Sequence, residues 1–127
     1  KISFKNDGKN YYFIKGIENR IEQIIANLLD NSISFSKNGT YILVNVSINL
    51  KDEITIKIKD EGEGFKEKDT NKIFNRFYSN RPDKFGEHSG LGLNIVKNLV
   101  DIHEGKIFAS NRENNTGAEI EINFPRA

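Results

Sequence analysis

The chain has 127 residues, 36% of them apolar, with 19 basic against 18 acidic side chains for a net charge of +1, and no cysteine. That length suits one domain around a single core and argues against two. The charge balance excludes a global field for nucleic acid or anionic lipid, and the lack of cysteine excludes disulfides, thiolate chemistry and cysteine-bound zinc. No apolar run approaches membrane-spanning length, and the opening KISFKNDGKNYYF has neither an initiator methionine nor signal-peptide character. The sequence reads as one soluble domain, residues 1–127, cut from a longer protein.

Residues 2 to 5 and 11 to 15 are short β-prone runs around Asn6-Asp7-Gly8, which predicts a first hairpin. From Ile17 to Phe35 the apolar residues fall at 17, 21, 24, 25, 28, 29 and 35, the spacing of a long one-sided helix. Residues 41 to 50 and 54 to 58 alternate apolar and polar side chains around Lys51-Asp52 and predict an antiparallel pair with one buried face. DEGEG then breaks the pattern, residues 69 to 77 suit a short helix, and 78 to 89 form a polar loop. Leu91 to Ile102 is a second amphipathic helix, and strands at 106 to 110 and 118 to 124 close the chain around Asn114-Asn115-Thr116-Gly117. This order predicts an α+β fold, a two-layer α/β sandwich with a mixed, mostly antiparallel sheet and about three helices packed on one face.

Three stretches carry chemistry. On the long helix Asn27 and Asn31 stand one turn apart beside the apolar stripe. An isolated pair of this kind is most simply a solvated polar edge; held rigidly at a core boundary, its two carboxamide oxygens would supply neutral hard ligands for Mg²⁺. In DEGEGF, residues 60 to 65, Asp60 ends a strand and can accept from a buried donor, while Gly62 and Gly64 allow close backbone approach. A carboxylate there suits an adenine amino group, and Glu61 and Glu63, which would repel phosphate, are expected to face water. In Gly90-Leu91-Gly92-Leu93 two glycines open a helix at a stability cost. Their bare N–H groups and the positive end of the helix dipole would cradle phosphate, with Leu91 and Leu93 anchoring the turn. The polar run before it, with Gly86, suits a lid over a nucleotide. A plain loop and a helix capped near Ser89 is the simpler alternative.

Asn27-Leu28-Leu29-Asp30-Asn31, Asp60-Glu61-Gly62-Glu63-Gly64, Ile73-Phe74-Asn75-Arg76-Phe77-Tyr78 and Gly90-Leu91-Gly92-Leu93 resemble, in order, the N, G1, F and G2 boxes of sensor histidine kinases. His103-Glu104-Gly105-Lys106-Ile107 and the ending Phe124-Pro125 are also similar to that family's closing strands. The resemblance implies the catalytic, ATP-binding domain of a two-component kinase, with the Bergerat-type sandwich of gyrase, Hsp90 and mismatch-repair ATPases. It implies ATP and Mg²⁺ as ligands, Asp60 on adenine, Asn27 and Asn31 on metal and phosphates, and Gly90 to Leu93 on the phosphate tail. Ser34 stands where the family often has lysine, so Lys37, Arg76, Arg81 and Lys84 are the candidate phosphate cations. The last glycine box is reduced to Gly117, followed by Ala118.

One substitution separates reaction classes within the superfamily. The related hydrolases carry a water-activating glutamate at the position of Asn27, and an amide is no such base at neutral pH. The implied reaction is therefore transfer of the γ-phosphate to another nucleophile, in the resembled family a histidine on a separate dimerisation domain, for relay to a response regulator. Neither His88 nor His103 has the acidic neighbour on a long helix that such an acceptor has; His103-Glu104 reads as a local structural pair. The resemblance further implies a cytoplasmic domain, monomeric by itself, in a homodimeric parent anchored in the inner membrane. Two other readings stay open, an ATPase or clamp of the same fold and a degenerate docking module without catalysis.

Overall fold

Ile24 and Leu28, spaced by one helical turn, are 0% and 1% exposed, and they fix which side of α1 (Glu18–Phe35) lies against the sheet. The computed structural model of the chain describes residues 2–6, 8, 11–36, 38–65, 70–74, 91–112 and 117–127. Its strands are β1 (Ile2–Lys5), β2 (Ile42–Ile48), β3 (Glu53–Lys59), β4 (Lys106–Asn111) and β5 (Ala118–Pro125), joined in one sheet of order β1-β2-β3-β5-β4. The second helix, α2 (Leu91–Ile102), packs on α1, and a 3-10 turn at Thr70–Phe74 packs against α2. The architecture is the expected α+β sandwich, with two α-helices and one short turn among the described residues rather than three helices.

Alternation decides the layers. Ile58, Ile120, Ile122 and Phe124 point into the core with Val96 and Val100 of α2. On the other face of the same strands Lys57 pairs with Glu121 at 3.7 Å, Lys59 with Glu119 at 3.4 Å, and the Thr55 hydroxyl donates to Asn123 Oδ1 at 2.6 Å. Helices thus cover one side and the opposite side is polar. The β2–β3 turn is built by Asn49, whose Oδ1 accepts from the N–H groups of Lys51 at 3.0 Å and Glu53 at 2.9 Å. Asp52 completes it in left-handed backbone, φ +60°.

The first hairpin does not form. Asn6 and Gly8 do make a turn, with Gly8 N–H donating to Asn6 Oδ1 at 2.7 Å, but β1 pairs in parallel with β2, Ile2 opposite Ile42. Residues 11 to 17 run outside the sheet, and Phe13 instead offers its carbonyl to the N–H of Ala127 at 2.8 Å.

Helix α2 ends by a device with a measurable consequence. Gly105 N–H reaches Val100 O at 2.9 Å and Glu104 N–H reaches Asp101 O at 3.0 Å, the paired bonds of a Schellman cap. The left-handed position, φ +59°, falls on exposed Glu104, where a Cβ is unfavourable. Glu104→Gly is expected to stabilise the fold by about 1 kcal/mol, read as a rise of a few degrees in Tm by scanning calorimetry.

Candidate functional site

Strand β3 delivers Asp60 to the end of the sheet, where the residue is 2% exposed. Its backbone N–H donates to Ala118 O at 3.0 Å, and its Oδ1 accepts from Ala118 N–H at 3.1 Å and Gly62 N–H at 2.9 Å. Both protein donors converge on one carboxylate oxygen. A buried polar oxygen costs free energy unless it is hydrogen-bonded, and Oδ2 has no donor among the described residues. The side chain is therefore an oriented acceptor, held by one atom and open at the other.

The loop after Asp60 is shaped by contacts that only glycine permits. A Cβ on Gly62 would stand 2.2 Å from Phe35 O at the end of α1, and one on Gly117 would stand 2.1 Å from Asp60 O. The loop thus abuts the last turn of α1, one turn beyond Asn31. Gly64, φ +80°, turns it back toward Asn111. Glu63 is exposed as expected, but Glu61 is not simply in water; its Oε2 accepts from Tyr41 N–H at 3.4 Å.

Asn27 and Asn31 are both half-buried on α1, one turn apart, and neither carboxamide has a hydrogen-bond partner among the described residues. Ser34, two positions before the helix ends on Ser36, donates its hydroxyl back to Asp30 O at 3.0 Å. Among the described residues no group of three acidic, histidine or cysteine side chains could form an all-protein metal cage. A carboxamide pair fits Mg²⁺ in the other way open to that ion, with few protein ligands, retained waters and substrate phosphates completing its shell.

The start of α2 falls at Leu91, and Gly92 lies exposed in its first turn. Leu93 packs against the core as its spacing demands, and Asn94 ties this turn to the 3-10 turn by donating from Nδ2 to Phe74 O at 3.1 Å. Gly90, Lys37, Arg76, Arg81, Lys84 and His88 lie outside the described residues, as does the predicted lid.

His103 is structural, though its partner is not Glu104. Its Nδ1 lies 2.7 Å from Leu99 O and its Nε2 accepts from Ile17 N–H at 3.1 Å, which sets the tautomer with the proton on Nδ1. The ring also meets Phe124 edge-on at 6.4 Å. It latches the uncapped start of α1 to the end of α2. A cavity of about 690 Å³ beside it, lined in part by Ile17, Ile102 and Arg126, sits at the far end of α2, about 16 Å along the helix from Leu91.

Sequence reasoning missed Asn94, Asn111 and Arg112. Asn111 Oδ1 accepts from Phe65 N–H at 2.6 Å while its Nδ2 donates to Phe65 O at 3.1 Å, and Arg112 Nη1 donates to Asp60 O at 3.1 Å. The only signal was positional, since two polar residues follow at once on the predicted strand 106 to 110.

Comparison with known proteins gives a consistent answer. Residues 16–127 match the family described as histidine kinase-, DNA gyrase B- and HSP90-like ATPase. The sensor protein ChvG of Agrobacterium fabrum is 35% identical over 130 residues, covering 97% of this chain and 22% of that protein. The sensor protein KdpD of Clostridium acetobutylicum is 41% identical over 109 residues, covering 84% of this chain and 12% of that one. The chain therefore spans a minor part of the curated relatives it matches. Among solved structures, the catalytic domain of histidine kinase ThkA superposes with a TM-score of 0.81 at 25% identity, covering 98% of this chain and 78% of that one. The mycobacterial sensor histidine kinase MprB shares the fold with a TM-score of 0.86 at 23% identity, over 99% of this chain and 83% of that one.

Proposed function

The chain belongs to the histidine kinase-, DNA gyrase B- and HSP90-like ATPase family, as an ATP-binding catalytic domain of the sensor histidine kinase type, and from that premise we propose that it binds Mg-ATP and presents the γ-phosphate to a histidine on its parent's dimerisation domain. The observation that carries this reading is Asp60, buried, fixed through Oδ1 and with no donor to Oδ2 among the described residues. Adenine's amino group is a donor that matches that oxygen, and guanine presents a carbonyl at the same place.

From the base outward, Gly62, Gly64 and Gly117 let the backbone close around the ring, and the N–H groups of Gly90 to Leu93 receive the phosphate tail at the positive end of α2. Asn27 and Asn31 would hold Mg²⁺ against the phosphates, and the ion would neutralise charge that builds up on the transferring group. Lys37, Arg76, Arg81 and Lys84 are the cations proposed to meet the γ-phosphate. Asn27 offers no base to activate water, so the bound nucleotide waits for an external nucleophile. We infer a homodimeric, membrane-anchored parent with this domain on the cytoplasmic side, passing its phosphoryl group to a response regulator aspartate. No helix among the described residues is long and apolar enough to cross a membrane.

The test is a calorimetric titration of the isolated domain with ATP, with and without Mg²⁺. Wild type should bind more tightly with Mg²⁺ and should not phosphorylate itself, and Asn31→Ala should lose about tenfold in the Mg²⁺-dependent affinity only, a change of about 1.4 kcal/mol. Equal affinities with and without Mg²⁺ in both proteins would remove the metal role. Rapid ADP release by the domain alone would favour hydrolysis over phosphotransfer.

A further inference from the structure

Asp60 to Phe65 is a six-residue loop containing two glycines, and such a segment has little of its own to hold it in one shape. Two consecutive residues at the end of β4 hold it from outside. Arg112 Nη1 donates to Asp60 O at 3.1 Å, and the Arg112 N–H donates to Gly117 O at 3.0 Å. At the other end, the Asn111 carboxamide accepts the Phe65 N–H at 2.6 Å and donates to Phe65 O at 3.1 Å. Asn111 is an exposed residue, yet both of its polar atoms are committed to the backbone of Phe65, a residue only 7% exposed. The amide takes the place of a neighbouring strand. It satisfies both main-chain groups of Phe65, and it sits directly beside the left-handed Gly64, whose absent Cβ would fall 2.6 Å from Asn111 Oδ1.

We propose that Asn111 is a positioning residue for base selection, pinning the far end of the loop so that the free oxygen of Asp60 stays aimed at the purine amino group. This rests on the reading of Asp60 as the adenine contact. Without Asn111, Phe65 would have to find other partners for its N–H and C=O, and the strain would travel back through Gly64 and Gly62 to the donor that orients Asp60. Affinity for the phosphate tail, set on α1 and α2, should change little.

The experiment compares Mg-ATP with the Mg-complex of purine riboside triphosphate, which lacks the exocyclic amino group, in calorimetric titrations of the whole domain. Wild type should prefer ATP by tenfold or more, roughly the strength of a hydrogen bond to a charged acceptor. Asn111→Ala should cut that preference about fivefold or more, chiefly by weakening ATP. Asn111→Asp, which keeps the acceptor for Phe65 N–H and loses the donor, should fall between and covers the case in which the alanine variant does not fold. A general loss of stability would weaken both nucleotides alike and leave their ratio unmoved. An unchanged ratio in a folded variant overturns the proposal. No preference in wild type overturns the Asp60 contact itself, and the role of Asn111 with it.

Discussion

Asp60→Asn should weaken ATP binding by about 10- to 100-fold while lowering Tm by less than about 5 °C. The asymmetry of the site makes the substitution clean. An asparagine can place its carbonyl oxygen where Oδ1 now accepts from Gly62 and Ala118, so the bonds that hold the loop survive in weakened, uncharged form. Its other atom becomes an NH₂ group where Oδ2 was. A donor then faces the adenine donor, and an attraction of about 1.5–3 kcal/mol is replaced by the desolvation of two unpaired N–H groups. Asp60→Ala separates the two roles. It abandons the Gly62 and Ala118 N–H groups as well, and should cost stability as much as binding. Calorimetric Kd together with Tm reads both; an Asn variant that binds like wild type would remove the adenine contact and leave Asp60 a loop-holding residue only.

The sequence was most legible where the information is local. Helix α2 ends at Ile102 as its apolar spacing requires, because a 3.6-residue period acts over neighbouring residues. The turn at Asn6 and Gly8 was legible for the same reason, but a turn does not choose a partner strand. Burial of the β2 edge does, and it selected a parallel mate at Ile2 to Lys5. Asp60 stood out as a carboxylate at a strand end. What orients it did not, since Ala118 is remote in sequence and its N–H carries no side-chain signature. Asn111 is the extreme case: an amide after a strand looks like any turn residue until the sheet order sets β4 beside β5 and the loop from β3. His103 reads as structural from the sequence, yet its partner is the start of α1, brought near only when the helices pack.

Gly62→Ala and Gly92→Ala should move stability in opposite directions, and the contrast bears on the phosphate cradle. Gly62 is a glycine the fold itself requires, because an added methyl would stand 2.2 Å from Phe35 O and main chain cannot yield as a flexible side chain can. The expected cost is about 3 kcal/mol or more, a fall in Tm of about 10 °C, with α1 and the Asp60 loop forced apart. Gly92 is different in every structural respect. It lies exposed in ordinary helical backbone, and a Cβ built on it meets nothing within 4 Å among the described residues. Packing among the described residues gives no reason to avoid alanine there and helix propensity favours it, so Gly92→Ala should stabilise the unliganded domain by about 0.5–1 kcal/mol. If bare N–H groups at this turn receive phosphate, the same methyl group obstructs the approach and affinity for Mg-ATP should fall about tenfold. Thermal melts with and without nucleotide measure both quantities, because a ligand at 100 times its Kd adds about 2.7 kcal/mol and a tenfold weaker one at the same concentration adds about 1.4. A higher Tm alone with a smaller nucleotide-induced rise is the signature of a glycine kept for the ligand. A lower Tm with the full rise would make Gly92 one more glycine of the fold, and the helix start would lose its claim on phosphate.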